Sequence, residues 1–209
     1  MAEDFGIPQL VDYLTRMGLR LGNIDQEKEI IELAFHGNHG QWRLIVGLQQ
    51  SAEIRKLMLI VPHFGVLTSK RRRTSLEALM TVNYRIAIGK FGLDLEDGEV
   101  RLEEAIPLAN DSITFEQFQL ALGAIMQVVA MYHSLLPRIR YTDLTAQEAL
   151  EVCEREFFEE THDEISEEEA DDADEEEGDE ATPGPLPELD VNDVLAEISR
   201  LFEEGREKE

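Results

Sequence analysis

Apolar residues recur along this chain with two periods, and each change of period marks a new element. Ile7, Leu10, Val11, Leu14 and Met17 are spaced three and four apart, which predicts a helix from Ile7 to Arg20 with one apolar stripe. Pro8 suits its first turn, where a missing N–H costs nothing, and Gly18 and Gly22 punctuate its end. The period then falls to two. Ile31, Leu33 and Phe35 alternate with Glu32 and Ala34; Trp42, Leu44, Val46 and Leu48 alternate with Arg43, Ile45 and Gly47; Leu57, Leu59 and Val61 alternate with Met58 and Ile60. Three half-buried strands follow from this. His36-Gly37-Asn38-His39-Gly40 is a hairpin loop between the first two.

A second helix is predicted from Thr74 to Tyr84, capped by Thr74 with Glu77 and facing inward through Leu76, Leu79, Met80 and Asn83. Phe91, Leu93 and Leu95 then alternate, Asp97-Gly98 turns the chain, and Val100, Leu102 and Ile106 continue as a strand. The longest helix is predicted from Thr114 to Leu136. Thr114 and Gln117 form its capping box, Ile113 staples onto Phe118, and Pro137 stops it. A further helix starts at Thr145, boxed by Glu148, and fades near Phe158. The order is helix, three strands, helix, two strands, long helix. Consecutive hairpins imply antiparallel pairing, so the predicted class is α+β, one antiparallel sheet of about five strands packed by helices.

The long helix is apolar on more than one side. Phe115, Phe118, Leu122, Ile125, Val129, Tyr132 and Leu136 share the face expected on the sheet, whereas Leu120, Ala121, Ala124, Val128 and Met131 lie on another. Either a neighbouring helix of the same chain covers the second set, or it is the interface of a homodimer.

Charge changes the picture beyond Phe158. The chain carries a formal net charge of −26. Residues 151–209 hold 26 acidic and 4 basic residues, a net of −22, which leaves −4 for residues 1–150. The run Asp163–Glu180 has no Lys or Arg and too little apolar surface to offset its ordering entropy. Three parts are expected: a domain over residues 1–158, a disordered acidic and Pro-rich linker over 159–187, and a short amphipathic helix over 188–204. In that last part Val191, Val194, Leu195, Ile198, Leu201 and Phe202 share a face, an anchor pattern suited to a groove on a partner. So strong a negative charge argues against polyanion binding through the whole surface and against anionic membranes. The N-terminus has neither the basic nor the apolar region of a secretory signal, and the apolar run Leu120–Met131 is too short to span a bilayer. With a single cysteine, Cys153, the expectation is a cytoplasmic protein without an internal disulfide.

A family emerges from the middle of the chain. The run Asn83-Tyr84-Arg85-Ile86-Ala87-Ile88-Gly89-Lys90-Phe91, then Leu93-Asp94, Asp97-Gly98-Glu99-Val100-Arg101-Leu102, Ile106-Pro107-Leu108 and the aliphatic helix after Thr114 resembles the YbjN-like family of bacterial proteins. The resemblance covers roughly residues 5–138. It implies a fold like that of type III secretion chaperones, a link to sensory transduction and stress regulation, and homodimers that hold other polypeptides. It supplies no catalytic residues.

Little in the sequence points to catalysis. No phosphate-binding glycine loop, nucleophile elbow or zinc-protease motif occurs. His36 and His39 lack the two further ligands that a metal site needs, so no cofactor and no metal are expected. Glu151, Glu154 and Glu156 flank Cys153 and would raise its pKa, which suits a buried structural thiol rather than a nucleophile. Lys70, Arg71, Arg72 and Arg73 form one basic loop, either a solvated turn, a phosphate contact or a seat for the acidic run. The expected function is therefore non-enzymatic: a chaperone- or adaptor-like module that binds another polypeptide, with nucleic-acid contact through Lys70–Arg73, or a structural dimer with a solubilising tail, as alternatives.

Overall fold

In the computed structural model, residues 5–37, 40–51, 54–108 and 112–171 are described. The six amphipathic positions expected near the C-terminus, Val191 to Phe202, lie outside them. Helix α1 (Ile7–Arg16) leads into strands β1 (Asn23–Asp25), β2 (Ile30–Gly37), β3 (Gly40–Ser51) and β4 (Ile54–Val66). Helix α2 (Arg72–Arg85) follows, then β5 (Lys90–Leu93), β6 (Glu99–Pro107), α3 (Phe115–Tyr132), α4 (Leu135–Tyr141) and α5 (Ala146–Asp171). The strands form one sheet in the order β1-β2-β3-β4-β6-β5, and every neighbouring pair is antiparallel. The fold class is thus α+β, with helices on one face of the sheet.

Period-two alternation decides which face. Ile31, Leu33, Phe35, Leu44, Val46, Leu48, Leu57, Leu59, Val61, Val100 and Leu102 are buried under the helices. On the long helix, Phe118, Leu122, Ile125, Val129 and Tyr132 are buried as their spacing requires, while Phe115 is half-buried. Each fully buried Leu or Phe of this set contributes roughly 1.5–3 kcal/mol through its transfer from water. The helix is apolar for this reason. The stretch Phe115–Tyr141 is long and apolar enough to cross a membrane by length and composition, but 61% of its apolar window is buried within the fold.

The capping boxes form as the sequence requires. Thr114 Oγ1 accepts the Gln117 N–H at 3.2 Å and Gln117 Oε1 accepts the Thr114 N–H at 3.1 Å. Thr145 and Glu148 do the same at the start of α5, and the backbone N–H of Thr145 holds the Glu148 carboxyl below its usual range.

Several boundaries differ from the sequence reading. Gly18, at φ 71°, ends α1 near Arg16 rather than Arg20. Strand β1 adds a sixth strand that three residues of mixed polarity could not announce. Helix α2 begins at Arg72 rather than Thr74. Arg71 is its N-cap, so Glu77 pairs with Arg73 at 2.9 Å instead of boxing Thr74. Its buried face is Ser75, Ala78, Leu79 and Val82, which turns Met80 outward at 65% exposure. Pro137 does not stop the long helix. The helix breaks after Tyr132, and Pro137 sits in the first turn of α4, where its missing N–H needs no partner. Finally, α5 does not fade at Phe158 but runs to Asp171, so positions 159–171 of the expected linker continue its backbone. Glutamate is a good helix former, and that propensity favours continuation despite like-charge repulsion.

Candidate functional site

Among the described residues, the sheet has one face packed by helices and one face open. On the open face, successive strands place Ile30, Gly47, Met58 and Ala105 in one cross-strand row and Glu32, Ile45, Ile60 and Glu103 in the next. Ile30, Ile45, Met58 and Ile60 are all half-buried. They make an apolar strip across three strands, and Gly47 keeps its centre low because a Cβ there would come within 2.9 Å of Ile30 Cγ2. Charges of both signs rim the strip: Glu32 and Glu103 end one row, Lys56 and Arg43 lie beyond it, and Arg101 pairs with Glu103 at 2.9 Å. Such a surface can hold apolar side chains at its centre and polar groups at its edge.

The edges of the sheet are handled differently. Strand β5 is an outer strand, and the Asn83 side chain closes part of it by accepting the Phe91 N–H at 2.7 Å and donating to the Phe91 carbonyl at 3.1 Å.

The basic loop is largely engaged within the fold. Arg71 has a left-handed backbone at φ 54°, which costs on the order of 1 kcal/mol. The conformation carries its guanidinium to the corner between α4 and α5, where it donates to the carbonyls of Thr142 (2.7 Å) and Leu144. Arg72 donates to the Leu67 carbonyl at 3.0 Å, and Arg73 holds Glu77. Only Lys70 and Arg73 are well exposed. The cluster in sequence is therefore chiefly a helix start that pins a distant corner.

The positions considered for a dimer interface fare unevenly. Ala121 and Val128 are buried within the chain itself, because α5 and α1 pack on α3. Ala124 and Met131 are half-buried, and Leu120 keeps 47% of its surface exposed. The second side of α3 is thus mostly closed by the chain's own helices.

Polar groups between the helices form a seam. Tyr132 donates to Glu154 at 2.9 Å, and Arg85 pairs with the same carboxylate, linking α2, α3 and α5. Burial and the neighbouring carboxylate push the Tyr132 hydroxyl pKa well up. Cys153 is 2% exposed, with Ser134 Oγ at 3.4 Å. Its pKa is raised, first of all by burial and only in small part by Glu156, with Ser134 and Arg138 opposing. Of His36 and His39, the latter lies outside the described residues, and no cluster of metal-binding type occurs among the described residues.

The YbjN family, described as "Putative bacterial sensory transduction regulator", matches residues 9–136. The chain belongs to the YbjN family. That span runs from the first turn of α1 to the start of α4 and so includes the entire sheet. Among solved structures, the chain is similar to "Crystal structure of YbjN, a putative transcription regulator from E. coli", at 14% identity and a TM-score of 0.43, covering 62% of this chain and 93% of that one. No curated protein sequence matches the chain. The open sheet face was legible only in part from the sequence. The period-two pattern placed Ile45, Met58 and Ile60 opposite the core, but only the register between strands joins them with Ile30 into one strip.

Proposed function

We propose that this YbjN-family protein is a non-enzymatic regulatory module that works by holding another polypeptide on the open face of its sheet. The apolar strip Ile30–Ile45–Met58–Ile60 carries this reading. Its rim has both signs of charge, which fits a protein surface of apolar centre and mixed polar edge better than a polyanion or a lipid headgroup layer. A net charge of −26 acts in the same direction. The burial of Cys153 and its raised pKa support a structural thiol. The terminal segment Val191–Phe202, beyond an acidic leash, would add a second contact at raised effective concentration. The expected setting is the cytoplasm.

Affinity capture from the parent bacterium, read by mass spectrometry, tests the reading with three proteins: the full chain, its Ile45→Asp variant, and a chain lacking residues 186–209. The full chain retains a partner, Ile45→Asp loses it while keeping its circular dichroism spectrum and melting temperature, and the truncation weakens retention. Capture that survives Ile45→Asp unchanged removes the sheet face from the mechanism. Recovery of only the chain itself assigns that face to a second copy and overturns the adaptor reading.

A further inference from the structure

A separate feature lies where the sheet splits. Strands β3 and β4 pair from Ser51↔Ile54 up to Ile45↔Ile60. Beyond that point β3 stays with β2, through Leu33↔Leu44 to Gly37↔Gly40, while β4 stays with β6. The parting is built into β4. Between Val61↔Leu102 and Gly65↔Val100 it uses four steps against two on β6, a bulge at Pro62, His63 and Phe64. His63 takes a left-handed backbone, φ 52°, which a residue other than glycine rarely adopts unless neighbouring contacts hold it. Glu99 holds it there. One carboxylate oxygen accepts the His63 N–H at 2.9 Å and lies 3.0 Å from the ring Nδ1.

Between the two arms is a cleft of about 470 Å³, within the range of small-molecule sites. Its lining combines aromatic side chains with one arginine and three histidines. Trp42 stacks one face on Phe35, centroids 4.1 Å apart and planes within 13°, and Phe64 lies on the opposite arm. Arg43, His36, His63 and His133 also line it. His133 comes from the C-terminal end of α3, its Nδ1 2.9 Å from the Ala130 carbonyl oxygen. Arg43 is exposed and has no ion-pair partner among the described residues. Among the described residues, no carboxylate lines this cleft. In a chain with 45 acidic and 19 basic residues, two other surface hollows each include an acid, Glu77 on α2 and Asp94, Glu99 and Glu103 at β5–β6.

We infer that this cleft binds a small planar molecule carrying one anionic group, its ring beside Trp42 and Phe64 and its anion at Arg43. An aromatic carboxylate and a nucleoside monophosphate share this chemistry. The cleft adjoins the open-face strip, whose rim includes Arg43, so binding here would let a small molecule reach the same β3 and β4 strands that carry Ile45 and Ile60.

Trp42 is the chain's one tryptophan, which makes its emission a reporter of the cleft. The full chain is titrated separately with benzoate and with adenosine 5′-monophosphate, and in parallel with benzamide and adenosine as neutral counterparts. At least one anion gives a saturable change with a Kd at or below about 1 mM, and which of the two does so identifies the source. Its neutral counterpart and the Arg43→Gln variant each bind about tenfold more weakly, the loss expected for one charge-assisted contact. Arg140→Gln, an exposed cation on α4, binds as the parent does. The inference is overturned if neither anion gives a saturable change, if Arg43→Gln binds as tightly as the parent, or if the neutral counterparts match the anions. The partner reading does not enter this titration, so either can fail alone.

Discussion

Two cationic regions of this protein show opposite uses of the same side chain. At the start of α2, four basic residues are consecutive in sequence, yet Arg71 and Arg72 donate to backbone carbonyls and Arg73 to a carboxylate. In the cleft, Arg43 of β3 has no ion-pair partner among the described residues. The groups that line the hollow with it come from β2, β4 and the end of α3, with no carboxylate among those described. A run in sequence is a local density of charge. A site is a local density of unsatisfied charge, and only the positions of the partners decide between them.

The largest effect that can break this comparison is at Arg71. Arg71→Met removes two charge-assisted bonds to the α4–α5 corner and leaves its left-handed backbone in place. It lowers stability by about 2–3 kcal/mol, read as a shift of the urea midpoint with unchanged slope. A midpoint that does not move would return the loop to the class of free cationic patches.

The next effect comes from the seam beside that corner. The pKa values of Cys153 and Tyr132 are both raised in the folded state above ordinary values of 9.0 and 10.0. Above each ordinary value the unfolded chain releases its proton first, so stability falls as pH rises. The loss begins near pH 9 through Cys153 and steepens past pH 10 through Tyr132, each with a limiting slope of about 1.4 kcal/mol per pH unit. Cys153→Ala removes the first part of that loss in denaturation curves taken across this range. An unchanged alkaline profile would mean that the thiol ionises equally in both states.

The smallest effects sharpen the contrast from the other side. Arg73, 92% exposed, and Arg43 carry little of the fold. Arg73→Gln and Arg43→Gln each change stability by less than about 0.5 kcal/mol in the same urea measurement. Only Arg43→Gln alters the response of Trp42 to anions.

Local signals were legible where they rest on residues close in sequence. The boxes Thr114–Gln117 and Thr145–Glu148, the alternation of Leu57, Leu59 and Val61, and the Asp97-Gly98 turn all act over a few residues, and all took the expected form. Predictions failed where a distant group competed. Thr74 was a plausible cap until Arg71, drawn to Thr142 and Leu144, began the helix earlier. Met80 fitted an inner stripe until α5 and β5 fixed the rotation of α2. For Ala121 and Val128 the sequence left open whether a helix of the same chain or a second copy covers them, and α5 and α1 pack over that side of α3.

The amino-acid order alone determined the class of fold, five of the six strands, the capped starts of α3 and α5 and the concentration of negative charge near the C-terminus. Each is a matter of periodicity, capping or composition, which neighbouring residues set among themselves. Only the tertiary structure decided which apolar face stays open, which arginines are engaged, and where β3 and β4 part to bring Arg43, Trp42 and His63 around one cleft. Those outcomes depend on register and packing between residues far apart in the chain, and no local pattern encodes where two strands cease to pair.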